Sequence, residues 1–165
     1  MARPSPRSLR RMHGFTLVEL VVTLALLGLM AAMAAPLAEL TVQRQKEQAL
    51  HEALRDIRGA IDRYKLAAEQ GLVERQVGDT GYPKDLYALE NGIPNQKSAS
   101  KELMRFLRKV PRDPFNPNLG VPAAESWTLR SSSSPPDAPA PGDDVFDVIT
   151  HAQGAGLNGV PYKEW

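Results

Sequence analysis

The bond between Gly14 and Phe15, and the carboxylate of Glu19 shortly after it, are the groups of this chain best placed to do chemistry. Gly14 stands at a boundary. Before it lie Arg3, Arg7, Arg10 and Arg11 with no acid, and after it an apolar run begins at Phe15. A secretory signal peptide is cut after its apolar run, at small residues. Here the small residue precedes the run. Cleavage at Gly14 would remove the basic leader, keep the apolar segment and free a new amino group on Phe15. Glu19 would then have a cation to meet. A carboxylate inside an apolar segment costs about 2.5 kcal/mol or more near the bilayer centre, and less toward the segment's end. Glu19 therefore either snorkels to the interface or pairs with a cation in the membrane, and the Phe15 amine is the cation that processing supplies.

Other patterns that could carry chemistry fall short. Gly154-Ala155-Gly156-Leu157-Asn158-Gly159 matches the dinucleotide-binding string G-x-G-x-x-G after a strand-like run. That string works only with a helix N-terminus behind it and an acid on a second strand about twenty residues on. Six residues follow, Pro161 among them. His13, His51 and His151 show no metal spacing, and His51 is expected on a solvated helix face. No cysteine is present, so there is no disulfide and no catalytic thiol, and no G-x-S-x-G occurs. The chain is expected not to be an enzyme.

The elements that must position Gly14, Phe15 and Glu19 follow directly. From Leu20 to Ala38 there are nineteen residues, with Thr23 the only polar side chain. That suits a helix crossing roughly 30 Å of hydrocarbon at about 1.5 Å per residue. Arginines beside such a helix keep the N-terminus cytoplasmic and send the C-terminus out; this reading is preferred to a basic arm for nucleic acid. The formal charge of +1 becomes −3 once the leader arginines are removed, with 16 basic and 19 acidic residues left. Beyond the run, Leu50, Leu54, Ile57, Ile61, Tyr64 and Ala68 recur at spacings of four and three, with polar residues on the other faces: an amphipathic helix with one core-facing stripe. One helix from about Phe15 to Gln70 is predicted, kinked or softened at Pro36 and on the order of 80 Å long. Gly28, Ala31, Ala32, Ala34 and Ala35 would let helices approach closely, and Gly71 is the expected C-cap.

The rest of the chain, 71–165, reads as a small domain with little regular structure. Gly81-Tyr82-Pro83 and Asn91-Gly92 signal turns. Ser98 or Ser100 is expected to cap a short helix through about Lys109, facing Leu103, Phe106 and Leu107 inward, with Pro111 stopping it. Strands are expected at Trp127–Arg130 and Val145–Ile149. The Ser/Pro-rich stretch 131–142 would form the exposed loop of their hairpin. Trp165 is expected to be a packing plug.

The string Gly14-Phe15-Thr16-Leu17-Val18-Glu19, with its basic flank and apolar run, resembles the N-terminal methylation motif of type IV pilins and type II secretion pseudopilins. Gly81-Tyr82-Pro83, Val110-Pro111-Arg112-Asp113-Pro114-Phe115, Asp144-Val145-Phe146-Asp147-Val148 and the Gly-rich stretch ending in Trp165 are similar to the major pseudopilin of type II secretion. The resemblance implies an α+β, pilin-like fold, a long N-terminal helix packed on a small antiparallel sheet. It implies a leader at 1–14, an assembly helix at 15–38, its amphipathic continuation at 39–70 and a periplasmic domain at 71–165. A prepilin peptidase would cut between Gly14 and Phe15 and methylate Phe15, and Glu19 would pair with the N-terminal amine of a neighbouring subunit. The implied partners are further copies of the chain in a pseudopilus, minor pseudopilins and the inner-membrane platform. The filament would push folded proteins through an outer-membrane secretin.

The family also implies calcium in the loop after the last strands, with Asp143, Asp144, Asp147 and Asn158 as candidate oxygen ligands. This chain has no carboxylate between Asp147 and Glu164, a departure from the family's acid-rich loop. Solvated strand-edge acids are the other reading. For the whole chain, the alternatives are a type IV pilus or minor pilin subunit, or a monomeric, membrane-anchored periplasmic binding domain.

Overall fold

The computed structural model of the protein describes residues 14–165, without the side chains of 33–37. The leader before Gly14 lies outside the described residues. Helix α1 runs Leu17–Glu69, close to the predicted bounds, and passes through Pro36, which has no N–H to donate. The start has a local cause. Thr16 Oγ1 accepts from the Glu19 N–H at 3.2 Å, and the Leu20 N–H donates to the Thr16 carbonyl at 3.1 Å. Thr16 is thus the N-cap, in a Thr-x-x-Glu capping pattern. The end is equally specific. Gly71 has φ +69°, its N–H donates to the Ala68 carbonyl, and the Leu72 N–H donates to the Ala67 carbonyl at 2.9 Å. This is the paired closure of a Schellman motif, and the expected glycine sits at its left-handed position.

The chain divides into two compact units, Met1–Thr41 and Val42–Trp165. The described apolar side chains of the first are exposed, Leu17 at 79% and Met30 at 70%. Among the described residues no helix is long and apolar enough to cross a membrane; the run Leu20–Ala38 includes 33–37, whose side chains are not described. The second unit has a core. All six residues of the predicted stripe are buried, and Leu86, Leu89, Val110, Trp127, Val145, Val148 and Tyr162 close over them.

Two two-stranded antiparallel sheets complete this unit. A short helix α2, Tyr87–Asn91, precedes strand β1, Ile93–Pro94, which pairs with β2, Leu103–Met104. The helix expected over 98–109 does not form. Asn95 spends its side chain on the local backbone instead: its Oδ1 accepts from the Lys97 N–H, and the Ser98 N–H donates to the Asn95 carbonyl, while the Ser98 and Ser100 hydroxyls meet each other. Such bonds compete with a helix. The Phe106 and Leu107 N–H groups then both donate to the Leu89 carbonyl, so this segment is held across to α2. Strand β3, Thr128–Arg130, pairs with β4, Asp147–Ile149, near the predicted positions. Val145 leaves the ladder because its N–H donates to the Pro83 carbonyl at 2.7 Å.

Candidate functional site

Gly14 to Thr16 precede the helix, and Phe15 is 83% exposed. A Cβ at Gly14 would meet open space, so the Gly14–Phe15 bond lies in accessible, non-helical backbone. Glu19 is exposed in the first turn of α1, where the helix dipole favours an acid. Around it Leu17, Val18, Leu20, Val21 and Val22 are all at least half exposed. The segment thus presents one carboxylate in a continuous apolar surface.

Of the four candidate cation ligands, Asp144, Asp147 and Asn158 are engaged within the fold and Asp143 is exposed. Asp144 is buried, and Asp143 and Asp144 lie in a groove of about 890 Å3 beside Tyr64, Arg75 and Tyr82. Asp144 Oδ1 accepts from Ser131 Oγ at 2.7 Å and the Ser132 N–H at 2.8 Å; Oδ2 accepts from Ser132 Oγ and Thr80 Oγ1, each at 2.5 Å. Burial acts to raise the Asp144 pKa, but these donors outweigh it and hold the carboxyl at about 2. They also fasten the base of the Ser/Pro stretch, where Ser131 is 2% exposed and the following residues are mainly exposed. Asp147 pairs with Arg58 at 2.7 Å. Asn158 lies in a different groove, beside His51 and Trp165, and its Oδ1 accepts from the Val160 N–H at 3.0 Å. Among the described residues no group of three or more His, Cys, Asp and Glu side chains is gathered to hold a metal ion.

Three contacts bind the Gly-rich stretch and its neighbours to α1 and to the Pro111–Asn116 loop. Buried Glu47 Oε1 accepts from Tyr162 OH at 2.8 Å, the Leu157 N–H at 2.9 Å and Gln43 Nε2 at 3.0 Å. Burial pushes its pKa up, and those three donors more than reverse the push, so the carboxyl lies below its ordinary value. His51, exposed as expected, stacks on Trp165 with ring centres 4.1 Å apart. A Cβ on Gly156 would collide with the Trp165 ring, so the glycine is required where the two approach. Asp113, 1% exposed, accepts from Phe115 N–H, Thr150 Oγ1 and His151 N–H.

The family description "Prokaryotic N-terminal methylation motif" matches residues 9–35. Type II secretion system core protein G of Klebsiella pneumoniae is 25% identical over 145 residues, covering 83% of this chain and 94% of that protein. Core protein G of Pseudomonas aeruginosa is 30% identical over 112 residues, covering 64% of this chain and 70% of that protein. The chain belongs to the core protein G family, the major pseudopilins. The pilin-like α+β architecture expected from the resemblance accords with the long α1 and the small antiparallel pairs. No solved structure matches the chain.

Four residues that make structural contacts, Thr16, Glu47, Arg58 and Asp113, were given no role from the sequence. Thr16 was legible, since Thr-x-x-Glu before an apolar run is a capping signature. Glu47, Arg58 and Asp113 could not be assigned their roles, because the partners that fix the fold, Tyr162, Asp147 and Thr150, are distant in sequence.

Proposed function

We propose that this chain is a structural subunit of the type II secretion pseudopilus, polymerising through its N-terminal helix to drive export of folded proteins across the outer membrane. The observation that carries this is the match to core protein G along 94% of one relative, joined to a methylation motif over residues 9–35. On this reading a prepilin peptidase removes 1–14 and methylates Phe15, and the subunit waits in the inner membrane with its N-terminus cytoplasmic and its 71–165 domain periplasmic. Support comes from the accessible Gly14–Phe15 bond and the apolar run Leu20–Ala38. Glu19 is the assembly residue. Surrounded by apolar side chains, its carboxylate gains a counter-ion when a neighbour's Phe15 amine arrives, so assembly is favoured over the lone subunit. Copies of the chain, minor pseudopilins and the inner-membrane platform are its partners, and no catalysis is asked of it.

Intact mass and N-terminal analysis of the protein from its native membrane tests the processing. A chain starting at methylated Phe15 is expected. A chain retaining Met1 with the peptidase present would remove the basis for the pseudopilin role. Glu19→Ala should leave an inserted, folded subunit that fails to restore secretion; normal secretion by that variant would refute the role given to Glu19.

A further inference from the structure

Asp143, Asp144, Asp147 and Asn158 are the oxygens this sequence offers a hard cation around β4 and the loop after it, and calcium takes roughly six to eight such ligands at 2.3–2.6 Å. In this chain they do not make a shared donor set. Asp144 turns both oxygens to Ser131, Ser132 and Thr80. Asn158 Oδ1 closes its own turn on Val160. Asp147 is held by a cation already present: Arg58 Nε donates to its Oδ1 at 2.7 Å and Arg58 Nη2 to its Oδ2 at 3.4 Å. The same Nη2 donates to the Trp165 backbone oxygen at 2.7 Å and, more weakly, toward the Val148 carbonyl at 3.4 Å.

One carboxylate and two backbone oxygens are the kinds of ligand a calcium ion gathers, and here they converge on a guanidinium. We infer that Arg58 takes the place of a divalent cation, tying β4 and Trp165 to α1, so that this region folds and stays ordered without calcium. The chemistry favours the exchange. A guanidinium is a planar cation with five fixed donors and never loses its charge, so it can serve several oxygens at once. With Arg58 in place, a second cation would meet a like charge and a carboxylate whose Oδ1 also serves the Val148 N–H. The neighbouring contacts need no metal either: Glu47 holds the Leu157 N–H, and Trp165 Nε1 donates to the Val160 carbonyl at 3.2 Å.

The test uses the purified full chain in detergent and does not depend on secretion. Thermal unfolding is followed by the near-ultraviolet signal of the tryptophans, with calcium chloride in millimolar excess or with EGTA. The two midpoints are expected to coincide. An ion bound at about 100 times its dissociation constant would raise the midpoint by roughly 5–10 °C for a chain of this size, and such a rise would overturn the inference. Hydrogen exchange then compares wild type with Arg58→Met and Arg58→Lys. Arg58→Met is expected to lose about tenfold or more of the amide protection over 156–165 in either buffer, with Arg58→Lys between it and wild type. Unchanged protection in Arg58→Met would equally overturn the inference. If Arg58→Met does not fold, the wild-type calcium comparison still decides.

Discussion

Two glutamates on α1 stand in opposite circumstances. Glu19 lies in a stretch whose described apolar side chains are exposed, and its own side chain is exposed among them. Glu47 is buried, and one oxygen receives three donors from its own chain. The apolar residues divide in the same way: Leu24 and Leu27 are about 60% exposed, whereas Leu50 and Ile57 are fully buried. The second half of the helix is completed by the sequence that follows it. The first half displays apolar surface far larger than a monomer in water ordinarily leaves open. One element therefore carries both a finished core and an unfinished one, as the proposed pseudopilus subunit would need.

The sharpest way to break that contrast is to truncate one leucine-sized side chain on each side. Ile57→Ala removes buried methylenes from the centre of the stripe and should destabilise the Val42–Trp165 unit by about 2–5 kcal/mol. Leu24→Ala should leave the unfolding of that unit unchanged, because Leu24 is exposed and lies outside that unit's core. Denaturant titrations of both variants in detergent check this. An equal loss in Leu24→Ala would mean that the first half is also packed within the subunit.

A smaller effect separates satisfied acids from the outward one. Asp144 falls from the ordinary 3.8 to about 2 in the fold. Because the folded value is depressed, the unfolded chain binds more protons in between. The stabilisation is complete above pH 3.8 and is lost as the pH falls toward 2. Its size is about 2 kcal/mol, at roughly 1.4 kcal/mol per pKa unit. Stability measured from pH 5 to 2 should therefore fall less steeply in Asp144→Asn than in wild type. Identical slopes would show that the hydroxyls of Ser131, Ser132 and Thr80 do not favour the charged form.

How much of this was legible depends on how far apart the partners lie. The stripe from Leu50 to Ala68, the Gly71 cap and the pairing of β3 with β4 follow from local period and turn chemistry, and each was readable. The 98–109 segment misled because Leu103, Phe106 and Leu107 have helical spacing, while Asn95 captures the backbone first. The Gly14 to Glu19 string was legible as a pattern of charge, small residue and apolar run. The contacts that fix the Gly-rich stretch were not. Arg58 and Asp147 are 89 residues apart, and Glu47 and Tyr162 are 115 apart, so neither pair is visible before the chain folds. In the sequence Glu47 looks like one more polar residue on a helix face.

The same conservative change at both glutamates gives the finest test of the comparison. Glu47→Gln keeps an acceptor for Tyr162 OH, the Leu157 N–H and Gln43, but the bonds lose their charge assistance, a cost of about 1 kcal/mol. The deficit has a definite pH dependence. The Glu47 carboxyl lies below its ordinary 4.5 in the fold, so its contribution is complete above that value and is lost as the pH falls below it. Denaturation midpoints of wild type and Glu47→Gln should differ at neutral pH and converge in acid. Glu19→Gln should leave the midpoint of the Val42–Trp165 unit unmoved at either pH, because Glu19 belongs to the other unit and is exposed. If Glu19→Gln shifted that midpoint in step with Glu47→Gln, the two halves of the helix would not be separate in function, and the outward-facing half would owe its composition to the subunit's own stability.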